Sequence, residues 1–147
     1  MSSGVTIRKA TDSDLSAAQS WLSDARLPSG DLTPAHMRNF LLALAGDDPL
    51  GMIGVEQFDN IGLLRSLVVD QSARGAGIGK QLVAALETRA AELGVNELWL
   101  LTIDADAYFA RLGYVVANRD DAPDSIRATA EFSTLCPGDA VLMRKNL

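Results

Sequence analysis

The 147-residue sequence contains one cysteine, Cys136, and one histidine, His36. A single cysteine excludes a disulfide within the chain. A single histidine excludes a histidine-based catalytic triad and a histidine-rich metal site. We therefore expect no metal cofactor, and we assign Cys136 to packing and His36 to a helix surface.

Long apolar runs and clusters of basic residues are also missing. The chain has no apolar run of membrane-spanning length and no basic segment followed by an apolar one near residue 1. We therefore expect a cytoplasmic protein without membrane contact. The net charge of −6, with scattered Lys and Arg residues, argues against a nucleic-acid partner.

Length and composition predict one domain. With 147 residues, of which 48% are hydrophobic, the chain can bury a full core without a disulfide or a structural metal. Nothing marks a linker or a repeat, so we expect a single domain over residues 1–147. The sequence leaves open whether this domain forms a homodimer.

Apolar periodicity and turn residues predict an α/β protein. The predicted strands are residues 5–8, 50–57, 61–69, 97–102 and 140–144, with 50–57 and 61–69 as an antiparallel hairpin. A first helix is capped by Thr11 or Ser13 and runs through Leu22, and a second begins at Thr33-Pro34 and runs through Leu44. The other predicted helices are one that follows residue 79 and stops at Gly94, and one over 123–132.

A glycine-rich turn joins a strand to a helix within residues 67–82. The strand ends with Leu67, Val68 and Val69, and the turn and helix start comprise Arg74, Gly75, Ala76, Gly77, Ile78, Gly79 and Lys80. A helix start exposes unpaired N–H groups at the positive end of the helix dipole, and glycines allow several amides to converge on one anion. Arg74 and Lys80 add two positive charges. The segment therefore predicts a phosphate-binding site.

The glycine spacing separates three kinds of phosphate site. The G-x-G-x-G pattern has Lys80 where a dinucleotide fingerprint needs its third glycine, and a P-loop would need a glycine in place of Arg74 and Ser or Thr in place of Gln81. The remaining pattern, Arg74-x-x-Gly77-x-Gly79, resembles the signature with which the GNAT superfamily of N-acetyltransferases grips the pyrophosphate of coenzyme A. Residues 107–114 resemble the second signature of that superfamily, in which a short helix beside the pantetheine arm ends at a glycine.

The resemblance implies a GNAT fold, with a mixed, mostly antiparallel central sheet that is splayed at the acetyl-CoA site and flanked by helices. It implies that acetyl-CoA is the cosubstrate and that an amine attacks it directly, without an acyl-enzyme. The backbone of Leu67, Val68 and Val69 would bind the pantetheine arm and stabilise the oxyanion. The resemblance also implies cofactor contacts at Asp104, where the family has Asn, and at Phe109.

Candidate catalytic residues follow from the need to remove a proton from the amine and to return one to the thiolate. Glu56, on the strand before the active-site strand, is our first candidate for the base, and a solvent-facing strand residue is the alternative. Glu131 is the second candidate. Phe109 occupies the position of the family's usual tyrosine acid, so that role passes either to the adjacent Tyr108 or to solvent.

Three further residues are candidates for binding the acceptor: Arg65 and Ser66 on the active-site strand, and Arg26 in a predicted acceptor loop at residues 25–32. Successive strand residues point to opposite faces, so only one of Arg65 and Ser66 can face the acceptor. An arginine among leucines suggests either bidentate recognition of an anionic group or a structural salt bridge. The sequence leaves both interpretations of Arg65 open.

Residues 27–32, 63–69 and 126–137 are similar to a narrower group, the arsenic-resistance N-acetyltransferases. This similarity implies a small-molecule amine substrate that is amino-acid-like, such as an organoarsenical or a phosphinothricin-like compound. A lone thiol at Cys136 cannot itself form a tight trivalent arsenic site. The alternatives are a protein N-terminal or lysine acetyltransferase and a non-catalytic acetyl-CoA-binding module.

Overall fold

The structure is a computed structural model that describes residues 5–25, 30–73, 77–129, 132 and 140–147. These residues form both strands and helices, so the predicted α/β class is confirmed. The strands are β1 (Val5–Lys9), β2 (Phe40–Ala45), β3 (Asp48–Phe58), β4 (Ile61–Val69), β5 (Glu97–Thr102), β6 (Val115–Val116) and β7 (Val141–Asn146). The helices are α1 (Leu15–Asp24), α2 (Pro34–Met37), α3 (Ile78–Glu92), α4 (Asp106–Arg111) and α5 (Asp124–Arg127).

The strands form one seven-stranded sheet in the order β1-β2-β3-β4-β5-β7-β6. The pairs β1/β2, β2/β3, β5/β7 and β6/β7 are antiparallel, and β4/β5 is parallel. The mixed sheet with flanking helices is therefore confirmed. None of the helices in the described residues is long and apolar enough to cross a membrane.

The chain forms two compact units. The first comprises the residues up to Val55 together with Ser66–Arg89. Its core packs α1, α2 and β2 through residues such as Leu22, Met37 and Phe40. Phe40 lies opposite Gly54 in the β2/β3 register, and its ring occupies the space that a Cβ at Gly54 would need. This close approach explains a glycine in the middle of a strand.

The second unit comprises Glu56–Arg65 and the residues from Ala90 onward. Its core includes Leu63, Trp99, Ile126 and Leu142. The Trp99 indole N–H donates to Glu97 Oε1 at 3.0 Å, which satisfies the polar edge of a nearly buried ring. The expectation of a single domain over 1–147 stays a prediction.

The predicted second helix over residues 34–44 is wrong in its longer part. Only Pro34–Met37 is helical, and Phe40–Ala45 forms strand β2. This strand lies between β1 and β3, and its first four residues are all buried. A strand that is buried on both faces reads as a continuous apolar run, which periodicity cannot distinguish from a buried helix.

The predicted helix over residues 123–132 is also too long, because α5 ends at Arg127. The Thr129 hydroxyl donates to the Ile126 carbonyl at 2.7 Å and accepts from the Phe132 N–H at 3.2 Å. These side-chain bonds compete with helical backbone bonds, so they favour a turn at this point.

Candidate active site

Strand β4 contains a residue in the left-handed region of backbone conformation. Ser66 has φ = 63°, an uncommon value for a residue other than glycine. The parallel register of β4 with β5 runs from Ile61↔Glu97 to Leu63↔Trp99 and ends there. A left-handed residue within a strand changes the direction of the backbone that follows it, which here is Leu67–Val69. Such strain clusters at functional sites, so Ser66 marks this end of β4 as a candidate site.

The segment after Ser66 combines a buried side chain with a polar backbone. Val68 belongs to the core of the first unit, while Leu67 and Val69 are half-buried. The Asp70 N–H donates to the Leu50 carbonyl at 2.7 Å, which fixes the end of the strand. The side chain of Val68 therefore contributes to the core of the first unit.

Helix α3 begins directly after a left-handed glycine. Gly77 has φ = 78°, and a Cβ at this position would meet no atom within 4 Å. The Gln81 N–H donates to the Gly77 carbonyl at 3.0 Å, so the amides of Ile78, Gly79 and Lys80 precede the bonds within the helix. Ile78 is buried and Lys80 is exposed. This geometry exposes amides and a cation at the positive end of a 15-residue helix.

Gly51 lets α3 and β4 come close to β3, a role that is not among the predictions from the sequence. A Cβ on Gly51 would lie 2.8 Å from Leu82 Cδ1, 2.9 Å from the Val68 carbonyl oxygen and 3.4 Å from Ile78 Cγ2. A side chain there would displace the backbone of β4 or the first turns of α3. The signal in the sequence is a glycine inside a predicted strand, which indicates a close approach of another element.

Glu56 and Arg65 form an ion pair within the second unit. Arg65 Nη1 donates to Glu56 Oε2 at 3.0 Å. The Arg65 side chain has 0% of its surface exposed, and the Glu56 side chain has 15%. The structure thus gives Arg65 the salt bridge that the sequence left open as one of two interpretations. The pairing could have been inferred, because a hairpin that turns at Asp59–Asn60 makes Glu56 and Arg65 diagonal neighbours on one face.

Helix α4 contains Tyr108, the candidate acid, and Phe109, which occupies the position of the family's usual tyrosine. Phe109 is buried, and its ring packs edge-on against Tyr108 at 5.4 Å and against Tyr114 at 5.6 Å between ring centroids. Tyr108 is half-buried, and burial raises the pKa of its hydroxyl, which therefore keeps its proton to a higher pH. Asp104 is exposed in the turn before α4.

Several predicted site residues lie outside the described residues. The structure places Glu56, Arg65, Ser66, Leu67–Val69, Gly77–Lys80, Asp104, Tyr108 and Phe109. Arg26, Glu131 and Cys136 lie outside, as does the remainder of the glycine-rich turn, namely Arg74, Gly75 and Ala76. His36 is half-buried on α2, where its Nδ1 accepts from the Thr33 N–H at 3.0 Å and helps to cap the helix.

Comparison with known proteins gives a family and a fold. Residues 8–114 match the sequence model of the acetyltransferase (GNAT) family. An uncharacterized N-acetyltransferase of Chlorobaculum tepidum is 32% identical over 92 residues, which are 62% of this chain and 59% of the relative. An amino-acid acetyltransferase of Ralstonia nicotianae is 32% identical over 69 residues, which are 47% of this chain and 15% of the relative. The chain thus spans part of the length of each relative.

Among solved structures, N-acetylglutamate synthase from Neisseria gonorrhoeae, complexed with coenzyme A and N-acetyl-glutamate, has a similar fold. The TM-score is 0.85 at 20% identity, and the match covers 100% of this chain and 36% of that chain. At this identity the likeness concerns the fold alone, and it agrees with the family match.

Proposed function

Because the chain belongs to the acetyltransferase (GNAT) family, we propose that it transfers an acetyl group from acetyl-CoA directly to the primary amine of a small, amino-acid-like molecule. The proposal that the chain binds acetyl-CoA rests on the geometry at the start of α3. There a left-handed Gly77 precedes amides that make no bond within the helix, and the exposed Lys80 adds a positive charge. These are the groups that hold a pyrophosphate.

The backbone after Ser66 supplies the second part of the cofactor site in this proposal. Leu67–Val69 pairs with the amides of the pantetheine arm as if with a neighbouring strand. A fixed N–H of this segment faces the thioester carbonyl, whose oxygen becomes negative when the amine attacks. Such a donor contributes about 3 kcal/mol to lowering the barrier. The left-handed Ser66 supports this role because it reorients the backbone at the start of the segment.

The transfer moves two protons. The amine nitrogen forms a bond to the carbonyl carbon, the C–S bond breaks, and coenzyme A leaves as a thiolate. We assign the removal of the amine proton to Glu56, whose carboxylate retains some exposed surface beside Arg65. The thiolate takes a proton from Tyr108 or from solvent. Burial raises the pKa of Tyr108, which makes its hydroxyl a weaker acid, so this shift does not favour the first route over the second.

The identity of the acceptor is a separate and more specific part of the proposal. The amino-acid acetyltransferase of Ralstonia nicotianae and the synthase complexed with N-acetyl-glutamate both support an amino-acid-like acceptor. The proposal of an organoarsenical or phosphinothricin-like acceptor rests on the resemblance of residues 126–137 to the arsenic-resistance group. Arg26 stays a predicted contact for the anionic group of the acceptor. A protein N-terminus or lysine is the alternative acceptor, and a homodimer stays a hypothesis that sedimentation equilibrium would test.

Calorimetry tests the cofactor site. Gly77→Glu puts bulk and negative charge at the pyrophosphate position, and we expect it to abolish acetyl-CoA binding. Gly77→Ala is the matched control, because it introduces the same backbone strain at φ = 78° without the charge. Unchanged acetyl-CoA affinity in a folded Gly77→Glu protein would contradict the site.

A thiol-release assay tests the reaction. The acceptors to compare are glutamate, a phosphinic or arsinic amino acid, a polyamine and a peptide with a free N-terminus. We expect the highest kcat/KM with an amino-acid-like acceptor. Preference for the peptide would move the assignment to a protein acetyltransferase. Acetyl-CoA binding without thiol release from any acceptor would support the non-catalytic module.

A further inference from the structure

The ion pair between Glu56 and Arg65 is arranged unlike a substrate-binding arginine. The guanidinium has no exposed surface, and its Nη1 donates to Glu56 Oε2 at 3.0 Å. Because the guanidinium is fully buried, an acceptor carboxylate could reach it only by displacing groups that cover it, and displacement of Glu56 would break the ion pair. The displaced Glu56 carboxylate would then lose a buried charge partner, which is costly.

The hairpin around the pair is fixed by backbone and side-chain contacts within the same unit. Gln57, next to Glu56, donates from Nε2 to the Leu93 carbonyl at 2.9 Å and to the Asp59 carbonyl at 3.1 Å. The Asn96 N–H donates to the Asn60 carbonyl at 2.8 Å. These bonds anchor the turn end of the hairpin to the segment between α3 and β5.

We propose that Arg65 is a positioning residue that holds the Glu56 carboxylate in one orientation for the acceptor amine, and that it does not bind the acceptor. This inference rests on the proposed acetyl transfer. An arginine suits the role because its guanidinium keeps its charge when buried and offers a planar fork to a carboxylate. A carboxylate held by a buried partner keeps one orientation, which favours proton transfer from a positioned amine.

A double-mutant cycle on kcat tests the proposal with the full chain, acetyl-CoA and the best acceptor from the panel. We expect Glu56→Gln to lower kcat by about a hundredfold, as loss of a positioned base does. Arg65→Met should lower kcat by at least about tenfold with acceptor KM changed by less than about threefold, since it disorders the base rather than the acceptor. In the Glu56→Gln background, Arg65→Met should add less than about twofold, because coupled residues are not additive.

Two further variants keep the test informative. Arg65→Lys retains the charge without the fork, and we expect it to restore part of the kcat that Arg65→Met loses while acceptor KM stays constant. If Arg65→Met fails to fold, Arg65→Lys replaces it in the double-mutant cycle. Arg144→Met on β7 is the control, because Arg144 lies over the Trp99 ring and bonds Asn146. It should leave kcat and KM as in the wild type.

The outcomes separate this inference from the proposed function. An active wild type in which the Glu56 and Arg65 effects multiply would overturn the positioning role and leave the acetyl transfer standing. A loss that appears mainly in acceptor KM would overturn it as well, and would make Arg65 a substrate contact. Wild-type activity in Glu56→Gln would also overturn it, because Arg65 would then have no base to position. A wild type that neither binds acetyl-CoA nor releases thiol would overturn the proposed function itself.

Discussion

Two arginine–carboxylate pairs have nearly the same geometry and opposite surroundings. Arg8 Nη1 lies 3.2 Å from Asp14 Oδ2, with side-chain exposures of 43% and 21%. Arg65 Nη1 lies 3.0 Å from Glu56 Oε2, with exposures of 0% and 15%. Distance therefore does not distinguish the two pairs. The comparison shows that the surroundings determine what each pair contributes.

The exposed pair belongs to the start of the first helical segment. Asp14 Oδ2 also accepts from the Thr11 N–H at 2.7 Å, so the carboxylate caps the turn whether or not Arg8 is present. An exposed ion pair adds between about 0 and 1 kcal/mol. A buried pair is different, because replacing both partners costs little while removing one leaves a charge without compensation. The burial of Arg65 thus makes its partner obligatory.

The largest expected effect is the loss of the buried arginine. Arg65→Met should lower the free energy of unfolding by about 3 kcal/mol, because it leaves Glu56 without its charge partner. The double variant Arg65→Met/Glu56→Met should recover most of that loss, since it removes both members of the ion pair. Urea unfolding measures both changes, provided that the m-values agree. A double variant as unstable as Arg65→Met would show that packing, rather than charge, explains the loss.

The second largest effect is expected from adding a methyl group to a crowded glycine, in comparison with an open one. A Cβ on Gly54 would overlap the Phe40 ring, whereas a Cβ on Gly30 would meet nothing within 4 Å. We expect Gly54→Ala to cost about 2 kcal/mol through overpacking, and Gly30→Ala to change stability by less than about 0.5 kcal/mol. Urea unfolding of both variants provides the measurement. Equal losses would show that Phe40 can move aside.

The local parts of the fold could be predicted from the sequence. Turn residues at 59–62 identify the β3–β4 hairpin, and Gly94, with φ = 88°, ends the helical region after α3 as expected. Strand β2 could not be predicted, because Phe40–Ala45 is an apolar run without a period. Which strands flank it depends on pairings with β1 and β3 that no short window contains.

The residues of the candidate site were easier to predict than the contacts between them. The glycine-rich turn and Glu56 carry their chemistry in residue type and spacing. The ion pair of Glu56 with Arg65 joins residues nine positions apart, and depends on the register of the hairpin. The left-handed Ser66 has no sequence signal, because serine is not a residue that favours positive φ.

The third effect concerns the cap at Asp14. Burial raises the pKa of this carboxyl, but the hydrogen bonds from Arg8 and Thr11 outweigh it, so the pKa lies below its ordinary value. A lowered pKa stabilises the fold above the unfolded pKa, and the contribution is lost as the pH falls through the folded pKa. Asp14→Ala should cost about 1 kcal/mol at pH 7. The difference from wild type should shrink as the pH falls below about 4.

Asp12→Ala is the matched control for the cap. Asp12 is exposed in the same short helical turn, which spans Asp12–Asp14. We expect it to change the free energy of unfolding by less than about 0.5 kcal/mol at any pH. Urea unfolding at pH 7 and at pH 3.5 gives the comparison. A cost for Asp14→Ala that stays constant with pH would show that the charge of the carboxylate does not matter.

The smallest expected effect removes the exposed arginine. Arg8→Met should cost less than about 0.5 kcal/mol, because Asp14 keeps the Thr11 N–H and gains water in place of the guanidinium. Raising the salt from 0.1 to 1 M shortens the screening length from about 10 to about 3 Å, which should erase this small difference. The loss in Arg65→Met should persist at 1 M salt, because ions do not enter between buried groups. Urea unfolding of the two variants at both salt concentrations measures this contrast. A salt-sensitive loss in Arg65→Met would mean that solvent reaches the pair, and the distinction between the two arginines would then be one of degree.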